Sequence, residues 1–375
     1  MGPAVTKRIL AACSPGEVRV AVAADSHLFD YAIWRPGAPD GVGDLHRGRI
    51  LSRVPAMAGA FVAIANAEGF LPDSEAPESH TEGNAVTVRV TRAAQGGKGP
   101  RLSARLTDPE KTLAGTGGPC PALLRRGPGA VEILAARFPN APIELDDPAT
   151  AAALQPTLGA RISLVRAAFN EAVASAVDAL AETSVSLPGG AVAHVEPTRA
   201  LTAIDIDAGT QTAARRDKNT AQLAGNRAII PELARQIRLR NLSGAIVIDF
   251  AGLSIRRRQA LGPELAAALR PDPLHPSFLG FSALGLAEIL RPRIHPPLHE
   301  LLAGPHAAGL TALRHMATEM AAEPSRAITL RAAPAMVAAL QADTMALADL
   351  ARRTGRTPTL RADPTLGATG WTLEG

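Results

Sequence analysis

A strand, helix, strand pattern between residues 200 and 250 constrains the fold of this chain more than any other feature. "ALTAIDIDAG" predicts a strand, and "RAIIPELARQIRLRNL" predicts an amphipathic helix with Ile230, Leu233 and Ile237 facing inward. "GAIVIDF" predicts a second strand, which is apolar until Asp249. Two strands joined through a helix are most simply parallel, and ligands of such sheets gather beyond the carboxyl ends of the strands. The pattern therefore predicts an α/β sheet with a ligand-binding site beyond the carboxyl ends of its parallel strands.

Three carboxylates fall at that edge. Asp205 and Asp207 are two apart in the first strand, so their side chains point the same way, and Asp249 ends the second strand. Carboxylates so placed need a cation, a proton or water, because a buried charge is costly and neighbouring carboxylates repel. A hard cation such as Mg²⁺ removes that cost and keeps waters for a phosphate substrate. The alternative interpretation is that the carboxylates cap local loops.

Composition excludes several classes of protein. With 375 residues the chain can bury a large core and form two or three domains. Its two cysteines, Cys13 and Cys120, exclude a disulfide framework and fit a reducing compartment, so we expect a cytoplasmic location. No apolar run approaches the ~20 residues of a membrane span, so no membrane partner is expected.

Arginine dominates the positive charge of the chain. Only Lys7, Lys98, Lys111 and Lys218 are lysines, and the net charge is +4. Guanidinium groups bind phosphate oxygens bidentately, which favours nucleic acid as a partner. A genome rich in the codons for Ala, Arg, Gly and Pro is the alternative explanation of the many arginines. The positions of the arginines in the fold must therefore decide between nucleic-acid binding and codon usage.

Other segments predict further domains. Alternation in "GEVRVAVAAD" and "NAVTVRVTR" predicts half-buried strands, and residues 35–107 are consistent with an oligonucleotide-binding (OB) barrel. Residues 108–164 are rich in Gly and Pro and show one helical piece, "AVEILAARF", so they are interpreted as a connecting region. "SLVRAAFNEAVASAVDALAETSV" predicts a helix with Val165, Phe169, Val173, Val177 and Leu180 on one face. Residues 305–375 predict a small α/β domain.

These segments, in this order, resemble the ribonuclease E/G family. "ALTAIDIDAG" with "NRAIIPELARQIRLRNLSGAIVIDF" is similar to its catalytic core, and "LGLAEILRPRIHPPL" to the helix that closes it. "EGNAVTVRVTRAAQGGKGPRLSARLT" is similar to the exit of its S1-type barrel. The resemblance implies an α/β protein with an inserted all-β barrel. Its parts are a discontinuous RNase H-like catalytic core (1–34 and 108–304, with 108–164 as a shortened 5′-sensor region), an S1-type OB barrel (35–107) and a small C-terminal α/β domain (305–375).

The resemblance also implies a function and its residues. It implies a Mg²⁺-dependent endoribonuclease, with Mn²⁺ as a substitute, that cuts single-stranded RNA in processing or decay and leaves 5′-phosphate and 3′-hydroxyl ends. Asp205 and Asp249 match the family's catalytic, metal-binding aspartates, and Asp207 is a further candidate ligand. The remaining candidates are RNA contacts, on the barrel and beside the aspartates: Phe61, Phe70, Lys98, Arg256, Arg257, Arg258, Arg291 and Arg293.

Each RNA contact has a simpler alternative. The phenylalanines are core residues in that alternative, and the lysine and arginines are solvated charges. Aromatic residues are scarce at 3% of the chain, and base stacking on barrels contributes roughly 1–3 kcal/mol per base, which favours the RNA interpretation. Arginines beside a metal site at the carboxyl edge of a sheet are likewise well placed for substrate phosphates.

Departures from the family pattern matter as much as matches. Arg199 replaces a glutamate, Asp207 an asparagine and Gly252 an acidic residue, which raises the alternative of an RNA-binding protein with weak or lost nuclease activity. The cysteines of the zinc link are absent, so we expect no structural zinc and, if a homodimer forms, one not linked by zinc. No counterpart of the 5′-monophosphate clasp is found, although Arg125 and Arg126 in "LLRRGPG" offer a substitute anion site.

Overall fold

The computed structural model of the chain describes residues 6–76, 81–115, 117–208, 218–250 and 252–375, with no side chains described for 218–220. The chain divides into two compact units. Unit 1 contains Met1–Pro39, Ala130–Pro292 and Pro297–Gly375, and unit 2 contains Asp40–Gly129 and Arg293–Pro296. Strands and helices are numbered below in chain order.

A five-stranded sheet forms the first part of unit 1. Its strands are β1 (Arg8–Ser14), β2 (Glu17–Ala24), β3 (His27–Trp34), β10 (Ile143–Leu145) and β11 (Ile162–Leu164), in the order β11-β10-β1-β2-β3. The first three strands are antiparallel, and β10 and β11 add to β1 in parallel. Helices α2 (Ala130–Arg137) and α3 (Pro148–Leu158) cover one face, and α4 (Glu171–Asp178) covers the other.

Strand β2 corrects one sequence prediction. Its valines pack under α2, but Ala21 and Ala23 on its other face are also fully buried, against Val173 and Val177 of α4. The small alanines permit this second layer, so the strand is buried on both faces rather than half-buried. The helix that covers it begins at Glu171, capped by Asn170, later than predicted.

A six-stranded sheet forms the second part of unit 1. Its strands are β12 (Ser184–Ser186), β13 (Val192–Pro197), β14 (Leu201–Asp207), β15 (Gly244–Asp249), β16 (Ser277–Phe281) and β17 (Ala287–Arg291), in the order β12-β13-β14-β15-β17-β16. Only β14 and β15 are parallel neighbours. They are joined through α5 (Lys218–Leu239), which confirms the predicted strand, helix, strand unit. Helices α6 (Ile255–Arg258) and α7 (Gly262–Leu269) follow β15.

The carboxyl-terminal part of unit 1 has its own apolar core. Its elements are α8 (Leu298–Leu302), α9 (Gly304–Ala322), β18 (Thr329–Ala332), α10 (Pro334–Ala342), α11 (Thr344–Thr354), β19 (Thr359–Ala362) and β20 (Trp371–Glu374). Strand β18 is central, parallel to β19 and antiparallel to β20. Leu313, Met316, Leu330 and Met336 are buried between these strands and helices, while a separate small α/β domain stays a prediction.

Unit 2 is built around a closed barrel. Its elements are β4 (Leu45–Val54), β5 (Gly59–Ile64), β6 (Ala67–Pro72), β7 (Ala85–Arg92), β8 (Arg101–Ser103), α1 (Asp108–Ala114) and β9 (Ala122–Arg125). Five strands close in the order β5-β6-β8-β7-β4 with β4 returning to β5, and β9 pairs with the start of β4. Val62, Leu71, Val88 and Leu102 fill the interior. A closed five-stranded barrel fits an OB-like barrel.

Residues 108–164 are structured, and this corrects their interpretation as a connecting region. They hold α1, β9, α2, β10, α3 and β11, and the residues up to Gly129 belong with the barrel rather than with unit 1. Strands β9 and β10 are short and are held by pairing with β4 and β1, so their sequences carry little hydrophobic alternation. The strands that close the barrel end at Ser103, whereas the compact unit that contains them extends to Gly129, so the domain boundary at residue 107 stays a prediction. The sheet of Asp205 and Asp249 is distinct from the amino-terminal sheet, and an RNase H-like core stays a prediction.

Candidate functional site

Asp205 and Asp249 lie side by side at the carboxyl ends of two parallel strands. In the register of β14 and β15, Asp205 is directly opposite Asp249, at the spacing of about 4.8 Å that separates neighbouring strands. Asp205 is exposed and the Asp249 side chain is 49% exposed. Both carboxylates therefore stand next to each other on a face that solvent reaches.

Alternation along the strands produces this arrangement. Ile204 and Ile248 are buried against α5, where Ile230, Leu233 and Ile237 face them. Because side chains alternate across a strand, the aspartates next to those isoleucines must point to the opposite face of the sheet. The core-forming isoleucines thus fix the direction of the carboxylates.

Asp207 lies two residues beyond Asp205 on the same face and is exposed. It pairs in register with Val192 of β13 and extends past the last residue of β15. Within the described ranges, no group of three or more His, Cys, Asp or Glu side chains is arranged to hold a metal ion. Two adjacent carboxylates still suit Mg²⁺, which is commonly held by one or two carboxylates together with water and substrate phosphates.

Arg258 has a different position from the one predicted. Its Nη1 donates to Oδ1 of Asp249 and, at 3.0 Å, to the carbonyl of Gly285, while its Nε donates at 3.0 Å to the carbonyl of Leu253. Its side chain is only 14% exposed. Nε and Nη1 of Arg258 thus hold Asp249 and two backbone carbonyls, and its role as a phosphate contact stays a prediction.

Arg256 and Arg257 stay available to a ligand. Both are exposed on the single turn of α6, directly after the Asp249 strand, and their guanidinium groups make no hydrogen bond or ion pair to the described part of the chain. Their role as phosphate contacts stays a prediction. Arg291, in contrast, is buried: its Nε donates at 2.8 Å to the buried Asp272, and its Nη1 donates at 2.7 Å to Asn241. That burial contradicts an RNA contact by Arg291.

The backbone at Gly252 explains one departure from the family pattern. Its φ of +67° is unfavourable for residues with a side chain, and a Cβ there would lie 2.5 Å from Nε2 of Gln222. An acidic side chain here would therefore strain the backbone and displace the end of the Gln222 side chain. Arg199 is exposed in the turn between β13 and β14, at the opposite end of β14 from Asp205, so it does not contact the carboxylates.

His194 is a neighbour that the sequence interpretation missed. On β13 it lies opposite Asp205, and its Nδ1 is 3.2 Å from Oγ of Ser184 on β12. Ser184, His194, Asp205 and Asp249 thus form one polar row across four strands. The alternating pattern of "VAHVE" indicates a strand that contains His194. Only the strand register shows that His194 lies beside Asp205.

The histidines near the missing zinc link pair with aspartates in the structure. His295 Nδ1 lies 2.6 Å from Asp40 within unit 2, and His306 Nε2 lies 2.9 Å from Asp343 within unit 1. Each histidine thus contacts a carboxylate at hydrogen-bonding distance. The expectation of no structural zinc stays a prediction.

In unit 2, the predicted aromatic residues form a pair on the outside of the barrel. Phe61 on β5 and Phe70 on β6 are opposite each other, with ring centroids 5.6 Å apart in an edge-to-face arrangement. Both are partly exposed, whereas their neighbours Val62 and Leu71 are buried inside. The rings are therefore not core residues, and their role in stacking bases stays a prediction.

Lys98 occupies the tip of the connection between β7 and β8. Gln95 and Lys98 exchange two backbone hydrogen bonds of 3.0 Å across Gly96 and Gly97, and Lys98 is exposed. A tight turn thus presents the ammonium group to solvent. Arg293, partly exposed, belongs to the same unit, while Arg291 two residues before it belongs to unit 1.

The substitute anion site proposed at Arg125 and Arg126 is not formed. Arg125 Nη2 donates at 3.2 Å to the buried carboxylate of Glu110, and Arg126 Nη1 donates to the buried Asp44. Each guanidinium is bound to a carboxylate within unit 2, which reduces its attraction for a terminal phosphate.

Together, the fold and the carboxylate edge define an α/β protein with an OB-like barrel and two strand-end aspartates. Residues 149–294 match the family model described as the Ribonuclease E/G family. The match contains Asp205, Asp249 and the arginines of α6. Residues 149–294 therefore carry the likeness to the ribonuclease E/G family that the resemblance of the motifs predicted, and that prediction is confirmed for this part of the chain.

Named relatives are similar to this chain over about a third of its length. The chain is 38% identical over 138 residues to Ribonuclease E of Nostoc sp. PCC 7120, a stretch that covers 36% of this chain and 19% of the relative. It is 36% identical over 129 residues to Ribonuclease E of Escherichia coli K12, covering 34% and 12%. Ribonuclease G of Escherichia coli K12 is 37% identical over 123 residues, covering 32% and 25%. The chain thus spans a quarter or less of the length of these relatives.

Proposed function

We propose that this protein is a Mg²⁺-dependent endoribonuclease that cleaves single-stranded RNA to 5′-phosphate and 3′-hydroxyl ends, in RNA processing or decay. The observation that carries the proposal is the register of β14 and β15, which sets Asp205 beside Asp249 on an open face. Both aspartates fall inside the stretch that matches the family. The names of the relatives, ribonuclease E and ribonuclease G, support RNA as the substrate.

Asp205 and Asp249 would hold the metal, with Asp207 close enough in sequence and face to join them. A bound Mg²⁺ supplies an activated water and offsets the charge that develops on the phosphate oxygens; Mn²⁺, a hard cation with the same preference for oxygen ligands, is expected to substitute. Arg258 fixes one oxygen of Asp249, so that the other is directed away from the guanidinium. Exposed Arg256 and Arg257 add positive charge for substrate phosphates.

The barrel supplies the RNA contacts in this proposal. Phe61 and Phe70 stack bases, and Lys98 and Arg293 contact the sugar-phosphate backbone. The edge-to-face pair leaves part of each ring exposed, which supports this role. Single-stranded RNA fits better than duplex RNA, because only unpaired bases can stack on aromatic side chains.

The test of the proposal is a cleavage assay with purified protein and an end-labelled single-stranded RNA. Cuts are expected with Mg²⁺ and none with excess chelator. The products should be ligatable at their 5′ ends without prior phosphorylation, which reports the 5′-phosphate. Cleavage that continues in chelator would contradict the metal-dependent mechanism.

A second candidate is an RNA-binding protein of the same fold with weak or lost nuclease activity. Two observations favour it: Arg258 already neutralises Asp249, and Gly252 has no acidic side chain. Both reduce the negative charge available to a divalent cation. Binding of the labelled RNA without cuts, under both Mg²⁺ and Mn²⁺, would establish this alternative.

The location and assembly of the protein are part of the proposal. None of the helices in the described ranges is long and apolar enough to cross a bilayer. We propose a cytoplasmic protein that, if it forms a homodimer, does so without zinc, since His295 and His306 pair with aspartates. Light scattering after size exclusion, with and without a zinc chelator, should give the same mass.

A further inference from the structure

Arginines continue the aromatic row on the outside of the barrel. In the strand register, Phe61 of β5 is opposite Phe70 of β6, Phe70 is opposite Arg101 of β8, and Arg101 is opposite Arg92 of β7. Residues opposite each other in neighbouring strands point to the same face. Two rings and two guanidinium groups therefore lie side by side on one surface of unit 2.

Arg293 adds a third guanidinium to this surface. Its neighbour Ile294 accepts a 2.9 Å hydrogen bond from the amide of Ala93, which brings the segment alongside the end of β7. Partial burial and the positive charges of Arg101 and Arg293 lower the pKa of Arg92 from its usual value. The three arginines are thus close enough to repel one another.

No carboxylate neutralises these three arginines within the part of the chain that the structure describes. Arg92, Arg101 and Arg293 form no hydrogen bond or ion pair there through their guanidinium groups. Other barrel arginines are paired: Arg89 Nη1 donates at 2.7 Å to the buried Glu110, and Arg126 donates to Asp44. An unpaired cluster of like charges is unfavourable, and an anion bound between them would relieve the repulsion.

We propose that Arg92, Arg101 and Arg293 form a binding site for a backbone phosphodiester of single-stranded nucleic acid whose bases stack on Phe61 and Phe70. This inference rests on the proposed RNA-binding function and adds a phosphate site to it. A nucleotide carries its base and its phosphate on opposite sides of one sugar. The row of rings followed by guanidinium groups offers a partner for each, and guanidinium forks bind phosphate oxygens bidentately.

Sequence interpretation missed Arg92 and Arg101 because each appears as an isolated charge at a strand end. Arg92 closes β7 and Arg101 opens β8, and only the pairing of these strands brings the side chains together. Lys98, at the tip of the connection between them, is a separate contact on the same hairpin.

The test is RNA affinity of the whole protein measured by fluorescence anisotropy in the presence of chelator, so that no cleavage occurs. The probe is a 5′-hydroxyl, fluorescein-labelled single-stranded RNA of about ten nucleotides. The double variant Arg92→Gln with Arg101→Gln should bind at least 10-fold more weakly than wild type. Its salt dependence, as the slope of log K against log salt, should fall by about 0.7 for each phosphate that the variant no longer binds.

The matched control removes two other exposed barrel arginines, Arg49 and Arg105, which donate to the backbone carbonyls of Gly83 and Ser74. Arg49→Gln with Arg105→Gln makes the same change in net charge and should alter affinity less than threefold. Equal losses in the two double variants would overturn the proposed site, because they would show a general effect of charge.

Thermal unfolding of Arg92→Gln with Arg101→Gln should occur at an unchanged or higher temperature, since repulsion is removed. A lower temperature would indicate a structural role and contradict the proposal.

A second arm uses the same RNA with a 5′-monophosphate. A similar loss of affinity for both RNAs supports a backbone phosphate, and a loss confined to the monophosphorylated RNA would overturn that assignment in favour of the terminal phosphate. The outcome is separable from the nuclease proposal. A wild-type protein that binds RNA through these arginines but never cuts it would contradict the nuclease, whereas cleavage with affinity insensitive to Arg92 and Arg101 would contradict the phosphate site alone.

Discussion

At the scale of single residues, the partner of a charged side chain decides its role. Arg256, Arg257 and Arg258 are consecutive, yet the first two are exposed and the third holds Asp249. Arg291 also lies in a basic stretch of sequence, but its guanidinium group is buried and donates to Asp272. Residue type alone therefore does not separate substrate contacts from structural ion pairs.

Asp205→Asn and Asp249→Asn test the metal edge. Each removes a ligand charge at the position where two carboxylates adjoin, so cleavage should fall on the order of 10²-fold or more. RNA affinity in chelator should stay within about twofold of wild type, because arginines supply most of it. A second readout is direct binding of Mn²⁺, which should weaken in both variants. Full activity in either variant would end the proposed mechanism.

Arg258→Gln tests the positioning of Asp249. The substitution removes the donors to Asp249, Leu253 and Gly285, and leaving such groups without partners costs about 1–3 kcal/mol of unfolding free energy. Denaturant unfolding should show this loss. Arg257→Gln, an exposed neighbour with the same change in charge, should stay within about 0.5 kcal/mol of wild type. Equal stabilities for the two variants would contradict a structural role for Arg258.

At the scale of elements, short strands are defined by what they pair with. β9 and β10 carry weak patterns in their own sequences but are held by β4 and β1, while alternating isoleucines identify β14 and β15 directly. Alternation also decides which side chains of β5 and β6 point out of the barrel. Val62 and Leu71 fill the interior, so their neighbours along each strand must point outward.

Phe61→Ala and Phe70→Ala test that outward side. Removal of a stacking ring should weaken affinity for single-stranded RNA by about 1–3 kcal/mol each, measured by anisotropy in chelator. Thermal stability should change little, because both rings are partly exposed. Val62→Ala is the matched control: it lies next to Phe61 but is fully buried, so it should lower stability instead. A large stability loss in the phenylalanine variants would assign the rings to packing.

At the scale of the whole molecule, Asp147 ties two parts of unit 1 together. Its carboxylate caps α3 by accepting from the Thr150 amide at 2.9 Å, and it accepts at 2.8 Å from Arg352 of α11. Burial opposes its ionisation, but the hydrogen bonds from Arg352 and Thr150 outweigh burial and hold its pKa below the usual range. The Asp147 carboxylate is thus one of the links between the amino-terminal sheet region and the carboxyl-terminal helices.

Asp147→Asn tests that link through pH. Because the folded pKa is lowered, the stabilisation is present above the unfolded pKa of about 3.9 and is lost as pH falls through the folded value. The variant should lose about 1–3 kcal/mol between pH 5 and 8 and converge with wild type in strong acid, since wild-type Asp147 is then also uncharged. Denaturant unfolding across pH checks this; a penalty that is independent of pH would contradict it.

The response to the 5′ end of RNA is also a property of the whole protein. With Arg125 and Arg126 engaged by Glu110 and Asp44, we expect 5′-monophosphate and 5′-hydroxyl versions of one RNA to be cut at rates within about twofold. The measurement is initial rate on the two substrates at equal concentration. A strong preference for the monophosphate that disappears on substitution of these arginines would refute the expectation.

The sequence by itself determined the strand, helix, strand unit, the three strand-end aspartates and the likeness of residues 149–294 to the ribonuclease E/G family. These features can be recognised because the strand and helix periodicities are properties of short stretches of sequence. Once the apolar residues of a strand face the core, the residues that alternate with them must point to the other face. The tertiary structure alone decided which charges meet. Arg258 reaches Asp249 from the next turn, Arg291 is buried against Asp272, and Arg92 joins Arg101 across two strands. These pairings depend on strand register and loop path, and a long arginine side chain reaches different partners with no change in local sequence pattern.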